Sequence, residues 1–454
     1  MKFEEALKFI HGRLKFGSRP GLLRMEAILE RVHHPERALS VIHIAGTNGK
    51  GSTVAFLRSL LMESDLKVGT FTSPYIESFT ERISINGNPI PENKLISYVK
   101  DYKPLVEKMD QDERLKGITE FELITAMTFS YFKDEQVDVA IVEVGLGGLY
   151  DSTNVVIPDV VGITTIELDH QDILGETLQE IAAQKAGIIK QGVSVVAGNI
   201  QSKTMCVIEE VARKKQAKLF RYDVDYSSFY LPTNDFWGER FDYQTNERKF
   251  FGLEISMLGI HQTENAAMAI KLAEVYLSLK DNVLSENNIR IGLKNAFWPA
   301  RMERISSRPL IVLDGAHNEA AMKRLAENLR EEFAGRRIKI LFSSLETKDV
   351  SSMIWQLQEI PKVHLYLTSF NYPRALDLAN VSHLVNENLD LVSVWAFGLG
   401  DILSKMKEND VLLVTGSLYF VSQVREFLKR NGKVNENSLK TYFSSLSISS
   451  PYHF

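Results

Sequence analysis

One cysteine, Cys206, stands in a chain of 454 residues, so no internal disulfide can form and a metal site built on several thiolates is excluded by counting. Such sparse cysteine usage fits a reducing compartment. No run approaches the ~20 apolar residues that cross a bilayer. The N-terminal MKFEEALKFIHGRL mixes charges of both signs into a helical apolar pattern (Phe3, Leu7, Ile10, Leu14), where a secretory leader needs an unbroken apolar stretch. Basic excess is missing too: the formal net charge is −5, with both signs interspersed, which argues against non-specific binding to DNA, RNA or anionic membrane. What is present is a hydrophobic fraction of 44% and a charged fraction of 24%, the proportions of an ordinary globular protein, at a length that suggests two or three domains. The expectation is a cytoplasmic monomer that handles small molecules, with neither nucleic acid nor membrane as partner.

Strand-like apolar runs alternate with helical patterns, the signature of an α/β fold with a mainly parallel sheet. VIHIA (41–45) leads through a Gly-rich turn into STVAFLRSLLMES, and further strands are expected at 67–73, 137–144 and 160–166. An Asn86-Gly87 turn predicts a hairpin. Residues 221–258 are aromatic, polar and alternating, and predict an antiparallel ribbon. A second α/β series opens at Pro309 with PLIVLDGAHN. The expected organisation is a P-loop-type sheet domain over 1–297 and a linker over 298–308. A smaller Rossmann-like α/β domain follows over 309–432, then a loosely held, Ser-rich tail over 433–454.

Between the first strand and its helix lies Gly46-Thr47-Asn48-Gly49-Lys50-Gly51-Ser52-Thr53. Glycines let backbone N–H groups turn around phosphate oxygens; the helix N-terminus adds partial positive charge and Lys50 a whole one. The common pattern G-x-x-x-x-G-K-[ST] is not matched, because Ile44 stands where its first Gly belongs. Open parallel sheets place their sites beyond the carboxyl ends of the strands, where Ser73, Glu143 and His170 fall. Oxygen donors and an imidazole beside a triphosphate suit Mg²⁺. A carboxylate ending an apolar strand is costly unless paired, so Glu143 has the strongest claim, with a buried ion pair as the alternative. Lys185, by pattern alone, reads as a solvated or ion-paired lysine.

These blocks together resemble the folylpolyglutamate synthase and dihydrofolate synthase family of the Mur ligases. The resemblance runs in order through HIAGTNGKGS, TSPYIESFTERI, TEFE, EVGLGG, LDHQDILG, IAAQKAGIIK, GIHQTENAAMA, WPARME, LDGAHN and TGSLYFVSQVR. It implies ATP phosphates held by Gly49, Lys50, Gly51 and Ser52, with Asn265, Arg301 and Asp314 also contacting ATP. Ser73, Glu143 and His170 would be Mg²⁺ ligands. Lys185 would be carbamylated and help to hold a second Mg²⁺. The resemblance also implies glutamate at Asp314, His317 and Ser417, and folate near Phe121 and Asp151, with Lys50, Lys185 and His317 as catalytic groups. Departures are Gln184 where Glu usually precedes the modified lysine, Ala300 where Gly usually precedes the arginine, and Glu319 where Pro usually follows DGAHN. The implied reaction joins L-glutamate to a folate through an acyl phosphate. The same chemistry on dihydropteroate is the alternative; a peptidoglycan Mur ligase, or an ATPase regulator that uses only the phosphate loop, is a more distant one.

Overall fold

The computed structural model describes residues 1–17, 19–233 and 236–431; the tail expected over 433–454 lies outside the described residues. The chain forms two compact units: Met1–Ser256 with His261–Phe297, and Met257–Ile260 with the chain from Trp298 onward.

In the first unit the main sheet holds β1 (Val41–Ala45), β2 (Val68–Phe71), β3 (Ile83–Ile85), β4 (Asn88–Pro89), β5 (Val139–Glu143), β6 (Val160–Ile163), β7 (Ser194–Ala197) and β8 (Leu219–Arg221). Their order is β4-β3-β2-β5-β1-β6-β7-β8. Only β3 runs against the other strands, pairing antiparallel with β2 and, through the hairpin around Asn86-Gly87, with β4. Every residue of β1, β5 and β6 is buried, which is why these strands read as continuous apolar runs and not as alternation. Helices cover both faces. Glu120–Asp134 packs with Val41, Phe71 and Val142 on one face, while Met268 and Leu272 of the helix Ile260–Ser278 lie over Gly162 on the other. The ribbon expected over 221–258 is present as β9 (Tyr226–Leu231), β10 (Glu239–Thr245) and β11 (Lys249–Ile255), all antiparallel.

The second unit contains β12 (Glu303–Ser307), β13 (Leu310–Leu313), β14 (Ile338–Phe342), β15 (Val363–Thr368), β16 (Leu389–Val392) and β17 (Val411–Thr415), in the order β12-β13-β17-β14-β15-β16. All pairs are parallel except β12 with β13. Residues 303–307, read from the sequence as linker, are thus an edge strand. Their polar ERISS sequence carries no apolar alternation that would mark a strand.

Candidate active site

The strand register aligns the carboxyl ends of four neighbouring strands: Ile44 pairs with Glu143, Phe71 with Val142, and Ala45 with Ile163. The loop Gly46–Gly49 leaves β1 at this edge and turns into the helix Lys50–Met62. Both loop glycines have positive φ, and neither has room for a side chain. A Cβ on Gly46 would collide with Thr164 Oγ1, and one on Gly49 would lie 2.5 Å from Asn265 Oδ1. Asn265, from the helix Ile260–Ser278, is therefore pressed against the phosphate loop, steadied by its Nδ2 donating to Gln262 Oε1 at 3.0 Å. The loop is also stitched to the end of β6. Thr47 N donates to Thr165 O at 2.8 Å, Thr164 Oγ1 donates to Asn48 O at 2.6 Å, and the Asn48 side chain bonds Glu167. Sequence reasoning missed Thr164, Thr165 and Glu167. Two adjacent threonines closing an apolar strand were the available signal.

Lys50 Nζ donates to Gly46 O at 2.9 Å and lies 4.0 Å from Glu143 Oε1. Glu143 is buried, and its Oε2 accepts from Ser73 N at 3.2 Å. Lys50, Glu143 and Ser73 thus come together at one edge. Gly148 closes the EVGLGG loop against the helix Leu178–Ala186, started by the Thr177–Glu180 capping box. A Cβ at residue 148 would stand 2.6 Å from Gln184 O and 3.0 Å from Lys185 O, and Leu149 N donates to Gln184 O at 2.8 Å. This docking buries Lys185, whose pKa falls to about 7, mainly through desolvation and further through the charge of Lys50, against opposing pulls from Asp169 and Asp151. Half or so of such a lysine is neutral at pH 7, against roughly three or four parts in ten thousand for an ordinary one. Of the two readings that pattern alone left for Lys185, solvated or ion-paired, the first is corrected: it is buried behind the glycine loop that follows Glu143. His170 differs from these residues in being exposed; it starts the short helix Gln171–Leu174 with φ 50° and its Nε2 is 3.9 Å from Asp169.

Phe121 stacks on Phe71 with ring centres 5.6 Å apart and covers Gly145, where a Cβ would meet its ring. Asp151 is buried and spends its carboxylate inside the protein, accepting from Leu146 N at 2.8 Å and Thr153 N at 2.9 Å. Burial pushes its pKa up while these hydrogen bonds oppose the shift.

In the second unit, Asp314 follows β13 and is buried. Desolvation raises its pKa against the opposing charge of Arg301. It accepts from Met302 N and from Ala316 N, each at 2.9 Å. Arg301 Nη1 lies 3.1 Å from where a Cβ on Gly315 would be. His317 Nδ1 donates to Gly315 O at 2.8 Å, which fixes the tautomer of the neutral ring with Nε2 as its basic atom. Ser417, buried, follows β17 at the start of the helix Leu418–Asn431.

Residues 44–273 match the Mur ligase middle domain and residues 300–418 the Mur ligase glutamate ligase domain. The chain is 43% identical over 440 residues to the dihydrofolate synthase/folylpolyglutamate synthase of Bacillus subtilis, covering 94% of this chain and 99% of the relative. The chain belongs to the folylpolyglutamate synthase and dihydrofolate synthase family of Mur ligases. It is 36% identical over 428 residues to the folylpolyglutamate synthase of Lacticaseibacillus casei, with coverage of 94% and 99%. A folylpolyglutamate synthase solved with AMPPCP and folate superposes with a TM-score of 0.82 at 34% identity, covering 94% of this chain and 100% of that one.

Proposed function

We propose that this Mur ligase joins L-glutamate to the carboxylate of tetrahydrofolate or a folylpolyglutamate, using ATP and Mg²⁺. One observation carries the reading: Lys50 and the buried Glu143 carboxylate meet at the carboxyl edge of a parallel sheet, beside a glycine loop with no room for side chains. The similarity to enzymes named for this reaction supports it.

In this scheme Gly49, Lys50, Gly51 and Ser52 bind the ATP phosphates, and Asn265, Arg301 and Asp314 complete the nucleotide site. The donors suit Mg²⁺. Ser73, Glu143 and His170 would hold one ion, and Lys185 as a carbamate would help with a second. Among the described residues no group of three or more His, Cys, Asp or Glu that could hold a metal ion is found; Mg²⁺ usually takes only a few protein ligands beside phosphate oxygens and water. Bound there, Mg²⁺ supplies positive charge to the transferring phosphoryl group. The lowered pKa of Lys185 supports carbamylation, because the neutral amine is the form that adds to CO₂. Phe121 offers the folate an aromatic face, and Asp151 shapes the Gly145–Leu146 turn beside it.

A folate carboxylate oxygen attacks the γ-phosphorus of ATP, ADP departs, and Lys50 offsets the charge on the phosphoryl oxygens. Asp314, His317 and Ser417 receive the glutamate, with His317 Nε2 the atom suited to taking a proton from its ammonium group. The amine nitrogen then attacks the acyl carbon, phosphate leaves, and an amide remains. The domains over 1–297 and 309–432 accordingly bind ATP with folate, and glutamate. A monomer in the cytoplasm belongs to the same reading.

A second reading, dihydropteroate as the acid, is favoured by the Bacillus subtilis relative, which is named for both reactions. One assay separates them: ADP release with dihydropteroate or tetrahydrofolate, each with and without glutamate, in CO₂-depleted and bicarbonate-supplied buffer. Release should need both acid and glutamate and should rise with bicarbonate. Full release without glutamate would end the ligase reading, and indifference to bicarbonate the carbamate.

A further inference from the structure

Two of the blocks that mark the family, WPARME and TGSLYFVSQVR, carry a glutamate and an arginine to which the scheme above gives no work: Glu303 and Arg425. Both are buried, with side chains 6% and 3% exposed, and they form a two-pronged ion pair. Arg425 Nε donates to Glu303 Oε2 at 2.7 Å, and Nη2 donates to Oε1 at 2.9 Å. Burying two charges is expensive, and such a pair is often no more stabilising than apolar side chains of the same volume. Its place in the fold points to another use.

Glu303 Oε2 also accepts from Ala300 N at 2.9 Å. Ala300 and Met302 both hold left-handed backbone, with φ of 54° and 44°, a conformation that is unfavourable for residues with a Cβ and persists only where surroundings over-determine it. Arg301 stands between them. The turn is fixed on its other side by Met302 N donating to Asp314 and by Gly315 N donating to Ala300 O at 2.8 Å. Arg425 itself lies on the helix Leu418–Asn431, directly after Ser417.

We propose that Arg425 is a positioning residue for Arg301: acting through Glu303, it holds residues 300–302 in their strained turn and so aims the Arg301 guanidinium at the Asp314–Gly315 edge. The same helix begins beside Ser417, so one ion pair sets the turn offered to the nucleotide and anchors the helix offered to glutamate. The proposal rests on the reading of Arg301 as an ATP contact, and the test keeps the two apart.

Arg425→Lys retains the charge and loses the fork geometry. In that variant, amide hydrogen exchange at Met302 and Gly315 should speed up at least tenfold, while Leu412–Val414 of β17 stay protected. KM for ATP should rise about tenfold, with kcat changed far less. In an Arg301→Ala background, Arg425→Lys should leave KM unchanged, since the residue it positions is gone. Arg425→Lys combined with Ala300→Gly, which eases the left-handed turn, should recover part of the lost affinity. Unchanged exchange at Met302 and Gly315, or additive effects of the two arginine substitutions on KM, would overturn the proposal. Should Arg301→Ala alone leave KM for ATP untouched, the nucleotide reading of Arg301 fails, and the exchange rates still decide whether Arg425 holds the turn. Glu303→Gln, which keeps an acceptor for Ala300 N, serves as the second variant if Arg425→Lys fails to fold, with the same exchange pattern expected.

Discussion

His43 occupies the centre of β1, fully buried, with Nε2 2.8 Å from Thr153 Oγ1. Desolvation, aided by the charge of Lys190, lowers its pKa to about 3. The folded protein therefore keeps this ring neutral where the unfolded chain would protonate it near pH 6.5. As pH falls through that value protons favour the unfolded state, so stability is present above it and lost below. Between pH 7 and 5 the loss from this residue is about 2 kcal/mol. Asp151, linked through Thr153 and with a raised pKa, works in the opposite sense, so the informative quantity is a difference. Urea unfolding of His43→Gln should show a shallower decline over that interval than the native chain; parallel declines would rule the account out. In VIHIA nothing distinguished this histidine from its neighbours. Lys185 was equally mute as a pattern, because its burial depends on a loop that precedes it by a long stretch of chain, and only the resemblance singled it out. Lys50 and Glu143 were legible because a glycine turn and a charge at the end of an apolar strand each carry a physical reason of their own.

The elements were readable where burial is two-sided. β1, β5 and β6 admit almost nothing but apolar residues, and β10, the central strand of the ribbon, shows the alternation of a sheet with one covered face. Reading failed at the ends and the edge. The strand expected to run to residue 166 stops at Ile163, because Thr164 and Thr165 turn their hydroxyls to the phosphate loop. β12 went unseen because an edge strand of polar residues obeys neither period. The contact between Gly148 and the helix Leu178–Ala186 joins two elements main chain to main chain. Gly148→Ala should push them apart, costing roughly 1–3 kcal/mol and lowering activity more than stability, since Glu143 and Lys185 separate together. Thermal melts set beside initial rates would show this; a variant with normal Tm and normal rate would mean that the contact is not tight.

For the whole molecule, nucleotide binding should register as stability. A ligand at about a hundred times its Kd adds about 2.7 kcal/mol to the folded state, so ATP with Mg²⁺ should raise Tm of the native chain and leave Lys50→Ala where it was. An equal rise in both proteins would remove Lys50 from the phosphate site. The division into two units was visible in the restart of α/β alternation at Pro309, but its detail was not: four residues, Met257–Ile260, group with the later unit although they precede the helix that carries Asn265. The polypeptide therefore passes from one unit to the other three times. No single cut yields two whole halves. A fragment starting at Trp298 lacks a tetrapeptide of its own, and a fragment ending at Phe297 carries that tetrapeptide as a foreign insert just ahead of the helix its nucleotide loop leans on. Reassembly from split genes would have to contend with that interleaving.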